Sequence, residues 1–472
     1  MEDVLIIGAG ITGSFLARDL SRYQLNITVV DREADIANET TMANSAIIHT
    51  GYDPKDGTLK ARLNVNGARM YERICKELHV SYQKCGAYVV ATDEMEIAVL
   101  NELKERADRR GITADIVTRE ELLKEEKNLS DHVIKGLSVP DTAVIYPWEC
   151  AIALMEDAVM NGVTLRLNCT VTDIKEEKDR FIVYTSKGTY ESRVVINAAG
   201  YGADVIARMV ETPPFSIEAK KGEYYVLSRY ASDFVKHVIY PVPSKKGKGV
   251  LAVPTVHGNI LLGPTNEVCE QGDTSVTQHG LDHIRSQIER IVKHVPYTEV
   301  IRSYAGIRAA GNQGDFYIRP MMSNPRLIHV ACIDSPGLAS SPAISEYVIE
   351  TYVKKVISLK KKKEVVHRPA PLVMKELSLQ EKNAAISREP LYGKIVCRCE
   401  NISYQEIVDA IHTTCGAVTI KGIKKRVRPG MGKCQGGFCE VEVAKIIADE
   451  LHIPLTDVLY DGEDTKLGME VK

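Results

Sequence analysis

The 472-residue chain has no stretch of eighteen consecutive apolar residues, and a membrane-crossing helix needs about twenty. Its first apolar strand starts at Val4, which leaves no room for a secretory signal, so a soluble, cytoplasmic protein is expected. Charge of one sign is also missing. Sixty Lys and Arg stand against 63 Asp and Glu, a net charge of −3, which gives no sign of nucleic-acid binding. Eleven cysteines, an odd number without a paired pattern, argue against a disulfide framework. There is no internal repeat and no low-complexity segment. With 44% apolar residues the chain can bury at least two cores, and its cysteine-rich end adds a small third unit.

Four cysteines are clustered. Cys397 and Cys399 form CxC, thirty-four residues follow, and Cys434 and Cys439 form CxxxxC inside GMGKCQGGFC. Thiols gathered in a reduced chain serve metal or redox chemistry, and soft thiolates select zinc, copper(I) or iron–sulfur clusters. Gly430, Gly432, Gly436 and Gly437 surround the second pair, so the backbone can wrap closely and aim N–H groups at anionic sulfur. That favours a 2Fe-2S cluster, with structural zinc as the alternative. Cys75, Cys85, Cys150, Cys169, Cys269 and Cys332 read as small hydrophobes. Cys415 lies between the paired thiols but is not needed as a ligand.

At the other end, VLIIGAGITGSFLARDL runs from an apolar strand, Val4 to Ile7, through Gly8, Gly10 and Gly13 into a helix. A second strand, Ile27 to Val30, ends at Asp31, eighteen residues after the last glycine. The glycines let a pyrophosphate approach a helix N-terminus, and Asp31 can accept hydrogen bonds from a ribose. FAD suits the rest of the chain better than NAD. After Asp31 the chain wanders through ETTMANSAIIHTGYDP, and a later strand, VVINAAGYGAD, brings small residues to the same dinucleotide. A third segment, CIDSPGLASSPAISEYV, places Pro336, Gly337 and Leu338 before a helix whose N-terminus can stabilise negative charge on a reduced flavin.

In this order the three segments resemble the D-amino-acid oxidase-like family of FAD oxidoreductases over about residues 1–358. The cysteine region, about 395–448, resembles the 2Fe-2S domain of bacterioferritin-associated ferredoxin. The fold expected is α/β: a Rossmann-like FAD-binding domain with an inserted antiparallel-sheet substrate domain, plus a small helical cysteine-rich domain. FAD-binding segments are expected at about 1–60, 150–210 and 325–358, and substrate segments at 61–149 and 211–324. A linker at 359–394 and a tail at 449–472 complete the chain. The resemblance implies that FAD is lined by Gly8, Gly10, Gly13, Asp31, Asn44, Ser45, Val171, Ala199, Gly200, Gly337 and Leu338. It implies that Cys397, Cys399, Cys434 and Cys439 hold 2Fe-2S.

GAYVVA, RFIVYTS, GEYYVLS and GNILLGP read as strands of the antiparallel sheet that, in this family, roofs the flavin and holds the substrate. Members move hydride from a carbon bearing an amine or hydroxyl to flavin N5, which calls for an anion anchor and a base. Arg308, in RSYAGIRAA, matches the arginine that holds the substrate's acid group, a task suited to a bidentate, permanently charged guanidinium; a structural ion pair is its other reading. His49 matches a histidine beside the isoalloxazine in hydroxyacid and glycerol-phosphate dehydrogenases, where it could take the hydroxyl proton; a packed core histidine is the alternative. Tyr304, Tyr225 and His257 are weaker candidates for lining the pocket, and a core or surface role is the favoured reading of each.

Two subfamilies compete. NSAIIHTGYDPKDGTLKARLNVNG and SPGLASSPAI are similar to L-2-hydroxyglutarate dehydrogenases, whereas the CxC and GMGxCQGxxC tail is like that of catalytic subunits of anaerobic glycerol-3-phosphate dehydrogenases. The resemblance implies a small anionic substrate, with glycerol 3-phosphate preferred, and delivery of electrons to an acceptor subunit, a second flavoprotein or a quinone-linked one. Peripheral membrane association would come through that partner. A scaffold retaining FAD without turnover is the non-enzymatic reading. Lys360 to Lys363 read as a solvated helix end. Lys421, Lys424, Lys425, Arg426, Arg428 and Lys433 offset the cluster's charge or dock an acidic partner.

Overall fold

The structure is a computed structural model that describes residues 1–244 and 248–467. Strand β1 (Glu2–Ile7) lies between β2 (Ile27–Val30) and the strand Gly188–Asn197, parallel to both, with Ile7 opposite Val30 and Asn197. Val4, Leu5 and Ile6 are fully buried. Near-continuous apolar runs are what a parallel strand covered on both faces requires. The carboxyl ends of these strands deliver Gly8, Asp31 and Ala198 to one crevice, where open α/β sheets bind their ligands. Helix α1 (Ile11–Leu20) starts at that crevice.

Among the described residues eight strands form this first sheet, and one of them is Phe181–Thr185. RFIVYTS therefore belongs to the FAD-binding sheet and not to the substrate sheet: alternation gives a strand's exposed face but not its partners. The second sheet has nine strands, and β3 (Ile217–Leu227) and β4 (Val300–Gly311) form its long antiparallel pair, with Gly222 opposite Gly306 and Tyr224 opposite Tyr304. Its one departure from the antiparallel expectation is Val238–Pro241, which runs parallel to Ala87–Ala91.

Two expected boundaries shift. The helix Leu59–Leu78 straddles residue 60, yet its Leu63, Tyr71 and Ile74 are buried in the core of the first sheet. Tyr317–Pro320 pairs with Leu327–Ala331 in that same sheet, ahead of the expected start at 325. Helix α2 (Gly337–Val348) packs on the long helix, where Tyr71 donates to the Leu338 carbonyl at 2.6 Å.

The cysteine-rich unit combines a two-stranded ribbon, Ile395–Cys397 with Ile402–Ser403, and the helices Tyr404–His412, α3 (Ile420–Val427) and α4 (Glu440–Leu451) around Ile407, Ile423, Val443 and Ile447. Helix α4 crosses residue 448, and Val458 is fully buried in this core, so packing continues into the expected tail. Residues 468–472 of that tail lie outside the described residues.

The connector is strapped down. Val366 exchanges two hydrogen bonds with Asn161, and Arg368 pairs with Glu156 and the Leu78 carbonyl. The lysine run is not a helix end either: the helix stops at Val356, and Lys360 and Lys362 exchange backbone hydrogen bonds with Gln24 and Arg22. No helix among the described residues is long and apolar enough to cross a membrane.

Candidate functional site

Three separated segments meet at the first crevice. Gly8 has φ +110°, and a Cβ there would stand 2.4 Å from the Ala198 carbonyl oxygen, while one on Gly13 would stand 1.9 Å from that of Gly8. Only glycine fits such an approach of loop, strand and helix. Asp31 accepts from the Ala9 N–H at 2.5 Å and the Glu33 N–H at 2.8 Å. Burial raises its pKa against those two bonds. Tyr201, next to Gly200, accepts from Arg32 at 2.7 Å and donates to Glu39 at 2.6 Å, which ties the Ala199–Gly200 turn to the end of β2. Thr12 meets Ser341 at 3.4 Å and so joins α1 to α2 behind Gly337 and Leu338. Val171 packs with Val30 in a buried cluster, behind the crevice rather than open to it. A glycine cradle, a carboxylate and two convergent helix N-termini fit an extended dinucleotide.

The Asn44–His49 segment crosses beneath the second sheet. Tyr304 donates to the Asn44 carbonyl at 2.8 Å and stacks on Tyr224 with ring centroids 4.7 Å apart, and Tyr224 meets the Ser45 hydroxyl at 2.9 Å. Arg308, half-buried on β4, reaches the Thr265 carbonyl at 3.2 Å and Asn266 Oδ1 at 3.4 Å. It makes no ion pair among the described residues, so the structural ion pair considered for it does not form. His49 is half-buried, and its Nδ1 lies 3.0 Å from the Tyr240 hydroxyl. Burial, reinforced by Lys248, holds its pKa well below the usual histidine range, so the ring is neutral and able to accept a proton.

Tyr225 faces away from this site, bonded to Arg285 at 3.0 Å in a separate core, because alternate residues of a strand point to opposite faces. His257 lies against Tyr146, 4.6 Å between centroids, with its pKa pushed down to about 2 by burial and by the Arg428 and Lys375 charges. It belongs to the contact with the cysteine-rich unit. Tyr240 and Lys248 had no local signature: neither stands in a recognisable motif, and only the folded sheet brings them to His49.

The four cysteines form two pairs. Cys399 and Cys434 sulfurs are 3.7 Å apart, and Cys397 is hydrogen-bonded to Cys439. Cys439 pulls the Cys397 thiol down to about 6; burial opposes this, and N–H groups of Gly430 and Glu400 assist it. Cys399 and Cys434 approach closely because Gly432 has no Cβ; one there would stand 2.3 Å from the Cys399 Cβ. A single tetrahedral zinc with bonds of about 2.3 Å would gather all four sulfurs within about 3.8 Å of one another. No three Cys, His, Asp or Glu side chains among the described residues converge as they would on one ion. Two pairs with backbone donors suit a two-iron cluster, one pair per iron. Cys415 is buried with the FAD-binding core instead. Replacing Cys434 with serine removes the iron and acid-labile sulfide signal while FAD content stays near one per chain. Loss of flavin along with the cluster would contradict this separation.

Five of the six residues of the basic set pair closely within the molecule. Lys425 and Arg426 pair with Asp35 at 2.8 and 2.9 Å, Arg428 with Glu400 at 3.2 Å, Lys421 with Asp461, and Lys433 with Glu299 at 3.3 Å. Arg428 also donates to the Tyr146 hydroxyl, and Arg229 to the Cys399 carbonyl. The expected docking face for an acidic partner is thus largely the contact between the chain's own two modules.

Residues 3–351 match the family described as FAD dependent oxidoreductase, and residues 395–449 match the BFD-like [2Fe-2S] binding domain. A glycerol 3-phosphate dehydrogenase of Caloramator mitchellensis is 42% identical over 467 residues, 98% of this chain and 97% of that one. A solved L-α-glycerophosphate oxidase of Mycoplasma pneumoniae with FAD bound superposes with a TM-score of 0.73 at 30% identity, covering 77% of this chain and 97% of that chain. An L-2-hydroxyglutarate dehydrogenase of Escherichia coli is 26% identical over 392 residues, 74% of this chain and 92% of the relative.

Proposed function

Because the chain belongs to the FAD-dependent oxidoreductase family, we propose that it is a dehydrogenase converting glycerol 3-phosphate to dihydroxyacetone phosphate. The observation that carries the substrate is the 42% identity to a glycerol 3-phosphate dehydrogenase, which runs through both modules. Bound FAD supplies the hydride acceptor, and the cluster, held by Cys397, Cys399, Cys434 and Cys439, supplies a one-electron outlet. Gly8, Gly10, Gly13 and Asp31 cradle the adenosine and pyrophosphate side of FAD, with Ala199, Gly200 and the α2 N-terminus closing on the same cofactor. Arg308 clamps the substrate phosphate. His49 Nδ1–H donates to Tyr240, which leaves Nε2 as the base for the substrate hydroxyl proton. The electrons leave through an acceptor protein, and the chain works in the cytoplasm.

Anaerobic addition of glycerol 3-phosphate bleaches the flavin absorbance, and L-2-hydroxyglutarate at the same concentration does not. The reverse result assigns the chain to the other substrate; no bleaching by any of a hydroxyacid panel leaves a scaffold. Arg308→Lys lowers kcat/KM by about ten- to a hundredfold, since losing a charge-assisted bond costs about 1.5–3 kcal/mol. Flavin content and thermal midpoint stay near wild type. Unchanged kinetics would remove Arg308 from the site.

A further inference from the structure

A cavity of about 600 Å³ shares Asn44 and Tyr304 with the segment that crosses beneath the second sheet but extends away from the dinucleotide crevice and from the His49–Arg308 site: none of Gly8, Asp31, His49 and Arg308 lines it. It lies between the two modules. One wall is the 38–46 segment, held to β4 by the Thr40 hydroxyl donating to the Ile307 carbonyl at 2.8 Å. The opposite wall is α3 with Met431 and Gln435, beside the cluster cysteine Cys434. The space thus separates the segment that runs past the flavin from the loop that holds the cluster. A void of this size between two redox centres removes the packed atoms through which they would couple.

Its lining carries the marks of a ligand site. Arg302, exposed on β4, has no ion-pair or hydrogen-bond partner among the described residues. An unpaired guanidinium offers a bidentate anchor to phosphate. Lys424, across the cavity, has its nearest carboxylate, Glu440, at 3.8 Å. Tyr146 and Trp148, with ring centroids 4.1 Å apart and planes inclined at 58°, form an aromatic corner against which either ring can offer its face. Thr255 Oγ1 and Trp148 Nε1, both in lining residues, are buried without a hydrogen-bond partner. Such a group costs about 1–3 kcal/mol unless something satisfies it, and a hydroxyl needs only a rotation to reach a ligand. The volume falls in the range that holds a mononucleotide-sized molecule.

We propose that this cavity binds a phosphomonoester carrying a flat heteroaromatic ring, of the flavin mononucleotide type, in addition to FAD. Arg302 and Lys424 take the phosphate, and the ring lies against Tyr146 and Trp148. The choice of a flavin ring over other heteroaromatics rests on the electron-transfer reading above; the phosphate and stacking contacts do not.

The test uses the full-length protein loaded with FAD and cluster. Trp148 is the only tryptophan, so its emission reports on the cavity wall directly. Added flavin mononucleotide quenches it saturably at one equivalent per chain. Riboflavin, which lacks the phosphate, binds at least about tenfold more weakly. Arg302→Ala weakens mononucleotide binding by a similar factor and leaves riboflavin binding unchanged, and Lys424→Met serves as a second variant. FAD content and cluster absorbance confirm that both variants fold. Absence of saturable quenching overturns the site, as does equal binding of riboflavin and mononucleotide. AMP binding as tightly as flavin mononucleotide overturns the flavin ring. Flavin mononucleotide binding in a protein whose FAD is not bleached by glycerol 3-phosphate removes the proposed substrate and leaves the site, and the converse removes the site alone.

Discussion

Replacing His49 with asparagine lowers kcat by about 10²–10⁴-fold, the usual contribution of a positioned general base. Asparagine keeps a donor toward the Tyr240 hydroxyl, 3.0 Å from Nδ1 in the wild type, but offers no imidazole lone pair to the substrate hydroxyl. FAD content is unaffected, because His49 is not among the groups that knit the dinucleotide crevice. The pH profile gives a sharper check. His49 has its pKa depressed by burial and by Lys248, so the free enzyme holds it neutral well below the usual histidine range. Once the substrate's own phosphate ionisation is allowed for, kcat/KM stays level as the pH falls from about 8 to about 6, where an ordinary histidine near 6.5 would already be titrating. A drop centred near 6.5 would show a solvated imidazole and contradict the geometry. The same depression has a stability sign. Below about 6.5 the unfolded chain takes up a proton at this position that the folded chain refuses, so stability falls as pH falls through that value. His257 acts in the same direction.

Asp35→Ala is expected to destabilise the docked cysteine-rich unit by about 3–5 kcal/mol, because it strands two buried cations. Lys425 and Arg426 side chains are 2% and 7% exposed and both are paired with Asp35. Arg426 meets the two carboxylate oxygens at 2.9 and 3.0 Å, a bidentate contact. Those two charges hold the Asp35 carboxyl well below the usual range against the opposing effect of its burial. Gly422 lets α3 come this near, since a Cβ there would already stand 3.2 Å from Asp35 Oδ2. The measurement is urea unfolding followed separately by flavin and by cluster absorbance. The variant loses the cluster transition first, at lower urea, while the wild type loses both together. Coincident transitions at the wild-type midpoint would mean that this ion-pair group does not hold the modules together.

Much of the flavin site was legible because its determinants are local. The turn after β1 needs glycine wherever it is found, and the strand, helix, strand and acid that surround it occupy some thirty consecutive residues. The cysteine-rich domain was legible for the same reason: its chemistry is carried by residue type and spacing. Arg308 stood out by its motif, yet its lack of an ion pair, which suits it to a substrate anion, depends on what the sheet places around it. Tyr225 lies in a core, the reading favoured for it, but sequence alone could not separate it from Tyr224, because two adjacent tyrosines on one strand look alike and face opposite ways in the fold. RFIVYTS was placed in the wrong sheet because strand partners are long-range pairings that periodicity does not encode.

By itself the sequence determined that this protein folds as two chemical modules, a dinucleotide cradle and a four-thiol site. Glycine, carboxylate and thiol have properties that no other residue supplies at those places. Only the tertiary structure decided how the modules meet. A run of basic residues can neutralise a cluster, bind a partner or bury itself in its own chain, and the outcome turns on where Asp35, Glu299, Glu400 and Asp461 lie in space. The same packing sorted the four thiols into two pairs, set Tyr240 beside His49 within reach of the Lys248 charge, and left a walled cavity between the modules. Each of these depends on contacts between segments far apart in the chain, whose energies exist only once both surfaces are formed.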